Sequence, residues 1–307
     1  MRRGSVETQP SGNGDRIARL RRFYEPAVEK LVTLNGALAI IIVALIFAFL
    51  LRDGLPVFRS VSVRDFLFGR DWYPLSDKFQ ALPLILGSLL VTAGAVIIAV
   101  PIGIASAIYL AEIAPVRVRE ILKPTVEVLA GVPSVVIGFI GMVVLAPWIK
   151  AIFGLSTGLT ALTGSVMLAF MALPTIISIS EDAIVAVPRD YNAGALALGA
   201  TSWQSISGVV VPAARSGIIA AVMLGIGRAI GETMTVLMVT GNAAVIPSTF
   251  MEPVRTMTAT IAAEMGEVAQ GTPHYHALFA VGLLLFTMTF MINLTADLAL
   301  RKTRQRR

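Results

Sequence analysis

Long stretches without charged residues alternate along the chain with shorter segments rich in Lys, Arg, Asp and Glu. A helix rises about 1.5 Å per residue, so about 20 apolar residues cross the hydrocarbon core of a bilayer, which is about 30 Å thick. Six stretches approach or exceed this length, and they predict an all-α polytopic membrane protein with six transmembrane helices. We place the spans at residues 34–51, 79–111, 125–148, 164–180, 213–240 and 277–298.

The composition agrees with a membrane protein. Hydrophobic residues make up 56% of the chain and charged residues only 14%, and the mean hydropathy is +0.79. A water-soluble fold of this size could not bury so much apolar surface. The chain contains no cysteine, which excludes disulfides, thiolate metal sites and cysteine nucleophiles.

The distribution of positive charge predicts how the chain faces the membrane. Most Lys and Arg residues lie in the two tails, the 117–123 turn and the loop before the fifth span, which the positive-inside rule places in the cytoplasm. The predicted segments are a solvated, cytoplasmic basic tail (1–33), the first transmembrane helix (34–51), an extracytoplasmic segment (52–82), a core (83–299) that includes a cytoplasmic loop (188–212), and a second cytoplasmic basic tail (300–307). The alternative for the first tail is an amphipathic helix at the membrane interface over residues 15–30.

Two connections predicted to lie on the extracytoplasmic side of the membrane contain aromatic residues and histidines. Residues 52–78 combine balanced charge with aromatic residues such as Trp72, which favours packing at the lipid headgroups. His274 and His276 are two residues apart in the 241–276 connection, but no cysteine or close carboxylate cluster accompanies them. We therefore expect interfacial histidines and no metal site.

The fifth span contains an arginine and a glutamate. Arg228 and Glu232 are four residues apart, so a continuous helix would place them on one face. Each charge costs roughly 2.5 to 3.5 kcal/mol near the membrane centre on insertion scales, so this face should look into protein or a water-filled path. The alternative is a structural ion pair, although apolar residues could replace such a pair at little cost. The candidate substrate path is Arg228, Glu232 and Thr235.

Prolines and carboxylates mark two other spans. Pro133 and Pro174 each remove a backbone donor and should bend their helices, and bent helices enclose cavities. Glu181 and Asp182 end the fourth span, where the helix dipole disfavours carboxylates. We expect these carboxylates to cap the helix or to contact Arg189.

A compact polar element separates the fourth span from the fifth. An Ala- and Leu-rich segment after Pro188, then Gly199, then a second short segment that ends at Pro212 predict a helix, a tight turn and a helix. The small residues at 193–195 would let the first helix lie close against a groove in a partner. The alternative is an ordinary helical hairpin at the membrane interface.

Residues 193–212 resemble the cytoplasmic coupling loop of ABC importer permeases, whose pattern is Glu-Ala-Ala, three residues, Gly, nine residues, then apolar, any residue, apolar and Pro. Val209 follows Gly199 at this spacing, and Val211 and Pro212 complete the pattern. Ala193 stands where the family has Glu, which puts in doubt any charged contact from that position. The resemblance implies docking on an ATPase through Tyr191, Asn192, Ala193, Gly194, Ala195, Gly199 and Pro212.

Four further segments, 65–72, 82–92, 127–141 and 225–233, resemble the C-type membrane subunit of phosphate-specific ABC importers. The resemblance implies a type I ABC importer permease fold in the bacterial plasma (inner) membrane. It also implies a second related permease subunit, two copies of an ATP-binding subunit and an extracytoplasmic phosphate-binding protein as partners. Membrane lipid is a further expected partner, and nucleic acid is not.

The chain has no Walker-type phosphate loop, so we expect it to be no enzyme by itself. We expect no cofactor on this chain, with ATP and Mg used by the partner ATPase. The predicted function is ATP-driven import of inorganic phosphate. A sulfate or molybdate importer permease and an ATPase-independent anion channel or transporter are the alternatives.

Overall fold

The computed structural model describes the backbone of residues 12–304 and the side chains of residues 28–295 and 298. Residues up to Leu50 form one unit by their contacts, and residues from Leu51 onward form a second. The ends of both predicted tails, residues 1–11 and 305–307, lie outside the described residues.

The described chain is mostly α-helical, as the sequence predicts. Its helices are α1 (Gly12–Gly54), α2 (Val63–Phe68), α3 (Leu82–Ile108), α4 (Val116–Ala130), α5 (Ser134–Ile140), α6 (Ala146–Phe153), α7 (Ala161–Val185), α8 (Arg189–Ala197), α9 (Ser202–Ser205), α10 (Val211–Gly231), α11 (Met234–Val239), α12 (Met257–Glu264) and α13 (Pro273–Arg304). A hairpin of two short antiparallel strands, β1 (Trp72–Tyr73) and β2 (Lys78–Phe79), lies between α2 and α3.

Six helical stretches within the described residues are long and apolar enough to cross a membrane, which confirms the predicted number. They are Val28–Arg59, Leu82–Ile113, Ser134–Phe153, Ala161–Val185, Ser202–Gly231 and Pro273–Thr295. The predicted bounds are wrong in several places, and each difference has a local cause.

The first helix begins at Gly12 instead of near residue 34, so the described part of the tail predicted to be solvated is helical. Extending an existing helix costs less than starting a new one, because each added residue contributes one hydrogen bond. The tail thus continues the helix of the first span.

The third predicted span consists of two helices. α4 ends at Ala130, and α5 begins at Ser134 after a short non-helical segment that ends at Pro133. The proline ring excludes the preceding residue from the helical region, so the chain leaves the helix here. The membrane-crossing part therefore begins at Ser134 and not at residue 125. Pro174, in contrast, lies inside α7.

Pro212 does not end a helix, contrary to the sequence prediction. α9 passes into a π-helical segment at Ile206–Val210 and continues directly as α10, with Pro212 in the first turn of α10. Proline in an α-helix clashes with the preceding turn, and a wider π turn relieves such a conflict. The fifth span is therefore helical from Ser202 to Gly231.

α7 is the central helix of the core and packs against both α3 and α10. Its Ile176 side chain is buried between two glycines. A Cβ atom at Gly103 of α3 would lie 2.7 Å from Ile176 Cγ2, and one at Gly225 of α10 would lie 2.6 Å from Ile176 Cγ1. The two glycines therefore let α3 and α10 approach α7 closely, as small residues commonly do between helices in membranes.

The extracytoplasmic segment predicted to pack at the headgroups instead contributes to a protein core. Phe66, Trp72 and Phe79 are each at most 2% exposed and pack with Leu278 of α13. The rings of Trp72 and Phe79 meet edge to face with their centroids 6.0 Å apart. Burying these aromatic rings removes more apolar surface from water than a headgroup contact does, which explains the difference.

Candidate substrate path and coupling surface

Arg228 and Glu232 do not share a helical face, contrary to the prediction. Arg228 lies in the last turn of α10, which ends at Gly231. Glu232 has an extended backbone with φ −69° and ψ 135°, and α11 begins only at Met234. The helix break turns the two side chains towards different partners, so the predicted shared face is wrong and the alternative of a structural ion pair is not formed between these two residues.

The Arg228 guanidinium joins three helices. Its Nη1 donates a 3.1 Å hydrogen bond to Thr175 Oγ1 of α7, and its Nη2 donates a 3.1 Å hydrogen bond to the backbone oxygen of Ala130, the last residue of α4. A cation near a helix C-terminus is favoured by the helix dipole. The guanidinium has five N–H donors, so these two bonds leave capacity for an anion.

Glu232 organises the start of α11. Its Oε1 accepts a 3.3 Å hydrogen bond from the backbone N–H of Thr235, one of the N-terminal donors of a helix that need a partner. Its own backbone oxygen accepts a 2.7 Å hydrogen bond from Thr258 Oγ1 of α12. The half-buried carboxylate therefore fixes the direction in which the chain leaves the break.

Thr235 is fully buried and ties the two helix interruptions together. Its hydroxyl donates a 3.0 Å hydrogen bond to the backbone oxygen of Ser134, the first residue of α5, and lies 3.1 Å from Met171 Sδ. The break between α4 and α5 thus lies beside the break between α10 and α11. Interrupted helices in a membrane protein are tolerated where they are buried in protein or line a cavity, and in transporters such interruptions commonly surround the substrate.

The predicted helix, turn and helix between the fourth and fifth spans is confirmed. α8 is followed by Gly199 at φ +87°, a left-handed conformation that favours glycine. The backbone N–H of Ala200 donates a 3.1 Å hydrogen bond to the oxygen of Ala195, which closes the helix end. Thr201 and Gln204 form a capping box that starts α9.

This element exposes large apolar side chains. Leu198 is 92% exposed, and Trp203 and Tyr191 are more than half exposed. Ala193 and Gly194 on α8 are also exposed, so the helix backbone is accessible, as the sequence predicts. Asn192 faces the other way and accepts a 2.8 Å hydrogen bond at Oδ1 from Ser205 Oγ.

A cleft of about 370 Å³ lies beside α8 and is lined by the ends of α4 and α7 and by the π-helical segment Tyr109–Ile113 that follows α3. Ala193, Asn192 and Arg189 contribute the α8 wall, and Arg119 contributes part of the opposite wall. Pro212 belongs to α10 and is separate from this wall. The structure therefore groups the small residues of α8 and places Pro212 apart from them.

Glu181 pairs with two cations on α4 and not with Arg189 as predicted. The Glu181 side chain is 1% exposed; Oε1 accepts a hydrogen bond from Arg119 Nη2, and Oε2 accepts one of 2.6 Å from Lys123 Nζ. Lys123 also donates a 2.7 Å hydrogen bond to Asp182 Oδ1. The hydrogen bonds that the Lys123 ammonium donates to Asp182 and to Glu181, in that order of effect, raise its pKa, so it is protonated at neutral pH.

A second, half-buried carboxylate, whose partners the sequence did not reveal, lies at the end of α12. Glu264 accepts hydrogen bonds from Arg255 Nη1 at 2.6 Å and from Trp72 Nε1 at 3.2 Å, and it lies 2.8 Å from His274 Nε2. Arg255 and His274 lie 9 and 10 residues from Glu264, and Trp72 lies 192 residues away. None of these separations matches the spacing of neighbours on a helix face or a strand, so no local pattern revealed the cluster.

The two histidines have unrelated partners, since His276 Nδ1 contacts the backbone oxygen of Asp53 at 2.7 Å while His274 contacts Glu264. Among the described residues, no group of three or more His, Cys, Asp or Glu side chains is arranged to hold a metal ion.

Six membrane-crossing helices, two adjacent helix interruptions around an arginine, and an exposed helical element between two spans define a multi-pass membrane permease. The chain belongs to the family described as binding-protein-dependent transport system inner membrane component, whose model matches residues 99–305. It is therefore a permease subunit of an ABC transporter, a class of protein that works with a partner permease and ATPase subunits.

Two relatives cover nearly the whole chain. The chain is 40% identical over 278 residues to the probable ABC transporter permease protein YqgH of Bacillus subtilis, covering 89% of this chain and 90% of that protein. It is 37% identical over 306 residues to the phosphate transport system permease protein PstC of Mesorhizobium japonicum, covering 93% of each chain.

A solved structure agrees with the fold. The chain is similar to an inward-facing form of the MetNI methionine ABC transporter with a TM-score of 0.55 and 19% identity, over 76% of this chain and 99% of that chain. The predicted type I ABC importer permease fold is confirmed.

Proposed function

We propose that this chain is the permease subunit of an ATP-driven importer that carries inorganic phosphate across the plasma membrane. The main support is the Arg228 guanidinium, half-buried where two interrupted spans meet and holding only neutral oxygen partners. An arginine in that setting suits a planar, multidentate anion contact. The similarity to permeases named for phosphate transport specifies the anion.

The orientation follows from the charges. Both termini and the element from Arg189 to Ser205 face the cytoplasm in this proposal, because most of the positive charge lies on that side. The Trp72 hairpin and the Glu264 cluster then face the outside. The membrane is the bacterial plasma membrane.

The proposed complex contains this chain, a second related permease, two copies of an ATP-binding subunit and an extracytoplasmic phosphate-binding protein. ATP and Mg are used by the ATP-binding subunits, and this chain holds no cofactor. The exposed Tyr191, Leu198 and Trp203, together with the small residues of α8, provide the surface that docks on the ATPase.

The mechanism uses the two regions together. Closure of the ATPase dimer displaces α8 and α9 as a rigid body, and the spans move between outward-open and inward-open states. Arg228 supplies positive charge where the phosphate leaves water, and the nearby Glu232 carboxylate keeps the binding weak enough for release. Thr235 acts by holding the two helix interruptions together.

Uptake of labelled phosphate by an Arg228→Gln variant of the assembled transporter tests the proposal. Losing a charge-assisted contact of 1.5 to 3 kcal/mol predicts a decrease in uptake of about 10- to 100-fold. Arg215→Gln is the matched control, because Arg215 lies on the same helix and is exposed.

Unchanged uptake in Arg228→Gln would remove Arg228 from the path. Competition by sulfate and molybdate in the same assay identifies the anion, and strong inhibition by either one at equal concentration would contradict the choice of phosphate. Flux through vesicles that contain this chain without ATPase subunits would contradict an ATP-driven importer.

A further inference from the structure

Helix α4 is held near both ends by side chains of other helices. At its C-terminus, the backbone oxygen of Ala130 accepts the hydrogen bond from Arg228. In its first two turns, Arg119 and Lys123 hold the buried Glu181 carboxylate of α7. The helix has 15 residues, so it spans about 22 Å at the usual helical rise. It therefore connects the proposed anion site to a second charged site in the same unit of the protein.

The second site is close to the coupling element, the segment from Arg189 to Ser205 that docks on the ATPase in the proposed function. Glu181 is in the last turns of α7, which ends at Val185, and α8 begins at Arg189. Arg119 lines the cleft beside α8 together with Asn192. Arg119, one of the two cations that hold Glu181, is thus next to the coupling element.

Burying the charged Glu181 carboxylate costs desolvation free energy, which suggests that the charge has a role. A buried ion pair gains little over well-packed apolar residues, but removing one partner leaves an uncompensated buried charge. Both Glu181 oxygens have cationic partners, so the pair has one well-satisfied arrangement. Such an arrangement holds two helices in one fixed relationship and resists sliding between them.

We infer that Glu181 is a positioning residue that makes α4 and the coupling element move as one body, so that movement of the ATPase reaches Arg228 through α4. This inference rests on the proposed function, since it assigns the route between the two sites of that function. When α8 is displaced, α4 follows through Glu181, and the Ala130 oxygen is drawn away from Arg228. In the displaced state, the Arg228 guanidinium has a free N–H donor for the anion. In the other state, that donor is bonded to the Ala130 oxygen.

The first experiment measures how many ATP molecules are hydrolysed for each phosphate transported by the complete complex in proteoliposomes. Glu181→Gln should raise this ratio by about 2- to 30-fold, because substitutions within a coupling network typically change the coupling by 0.5 to 2 kcal/mol. Glu120→Gln is the matched control, since Glu120 is an exposed carboxylate on α4 itself, and its ratio should equal that of the wild type. A Glu181→Gln ratio equal to the wild type would overturn the inference.

A triple substitution covers the case in which Glu181→Gln does not assemble. Glu181→Met with Arg119→Met and Lys123→Met removes all three charges together and replaces them with apolar side chains, which buried ion pairs commonly tolerate. The assembled triple variant should hydrolyse ATP with poor transport. Wild-type transport per ATP in this variant would show that the ion pair is dispensable for coupling.

A third measurement does not depend on transport. The chain has no cysteine, so Glu120→Cys and Ala186→Cys provide two exposed sites for spin labels, one on α4 and one just after α7. The distance between the labels should stay the same in the nucleotide-free and ATP-bound complexes. A change in that distance would overturn the inference while leaving phosphate import intact, whereas a wild-type complex that does not import phosphate would instead refute the proposed function.

Discussion

Ser205 Oγ donates a 2.8 Å hydrogen bond to Asn192 Oδ1, and this bond joins α8 to α9 across the Gly199 turn. Ser205 is fully buried, while the opposite side of the element exposes Leu198 and Trp203. One side of the element is therefore fixed internally and the other is available to a partner. A rigid body of this kind transmits a push from the ATPase better than a flexible loop, because little of the displacement is lost in bending.

We predict that Ser205→Ala weakens coupling without preventing assembly. A net hydrogen bond is worth about 1 kcal/mol, and its loss leaves the two short helices less firmly joined. The measurement is phosphate uptake per ATP hydrolysed, which should fall. Ser207→Ala is the control, because the Ser207 hydroxyl bonds only within its own helical turn, to the Trp203 oxygen. An equal effect of both substitutions would contradict the role of the Asn192 contact.

Gly199 provides a second test of the same rigid element. Its φ of +87° is a conformation that residues with a Cβ atom adopt at a cost of about 1 to 2 kcal/mol. No atom lies within 4 Å of the position that a Cβ would occupy, so the strain is in the backbone and not in packing. Gly199→Ala should reduce ATP-coupled uptake, measured at equal amounts of assembled complex.

Gly194→Ala is the control for Gly199→Ala, because Gly194 lies inside α8 and its Cβ position is also open. Alanine favours a helix more than glycine does, so Gly194→Ala should assemble at least as well as the wild type. A loss of assembly in Gly194→Ala alone, with Gly199→Ala unaffected, would contradict the assigned backbone roles.

The coupling element was predictable because its determinants are local. The order of Pro188, Gly199 and the Thr201 cap specifies where α8 begins and ends and where α9 begins. The continuation of α9 past Pro212 was not predicted. The shared face of Arg228 and Glu232 was predicted wrongly because a four-residue spacing places two residues on one face only if the helix continues. Gly231, immediately before Glu232, was the available sign of a break. Membership of Arg228, Glu232 and Thr235 in the substrate path stays a prediction.

Partners that are distant in sequence were not predictable. Glu181 receives its cations from α4, 58 or more residues earlier, and Glu264 receives Trp72 from 192 residues away. Only the packing of α4 against α7 and of the hairpin near α12 brings these groups together. The six spans, in contrast, follow directly from apolar length, since a bilayer requires every backbone group to be paired within a helix or barrel.

Thr175 allows a test of how Arg228 is oriented. Thr175→Val keeps the shape of the side chain but removes the oxygen that accepts the Arg228 Nη1 hydrogen bond. The guanidinium then loses one of its two contacts, so we expect a raised KM for phosphate uptake of a few-fold, about what 1 kcal/mol gives. Thr175→Ser retains the hydroxyl and should restore the wild-type KM. A normal KM in Thr175→Val would show that Thr175 does not orient Arg228.

The Glu264 cluster should contribute to the stability of the protein. Glu264→Gln replaces the charge that Arg255 and the Trp72 indole share, and an unpaired buried donor or cation costs about 1 to 3 kcal/mol or more. The thermal unfolding temperature of the purified permease should fall, with a change in tryptophan fluorescence. Glu267→Gln is the control, because Glu267 is exposed on the same connection. Equal unfolding temperatures in all three proteins would contradict a stabilising role for Glu264.

The contact between α7 and α10 makes the sharpest packing prediction, because two nearby glycines of α10 have opposite surroundings. A Cβ at Gly225 would lie 2.6 Å from Ile176 Cγ1, while the nearest atom to a Cβ at Gly227 is Asn293 Oδ1 at 4.0 Å. Gly225→Ala should therefore destabilise the protein by about 1 to 3 kcal/mol through overpacking, and Gly227→Ala should not.

A second substitution, at Ile176, should partly restore the stability lost in Gly225→Ala. Ile176→Val removes Cδ1, which lies 2.8 Å from a Cβ placed at Gly225, and keeps Cγ1 on a shorter side chain that can shift more easily. Alone it should lower stability modestly, by about 0.5 to 1.5 kcal/mol. Combined with Gly225→Ala, it opens space for the new methyl group, so the double variant should unfold at a higher temperature than Gly225→Ala alone. Residues in contact show such non-additive effects, whereas distant residues add. If the stability changes of Ile176→Val and Gly225→Ala simply add, the prediction is contradicted. In that case α7 and α10 move apart to accommodate the new methyl group, and Ile176 is not compressed.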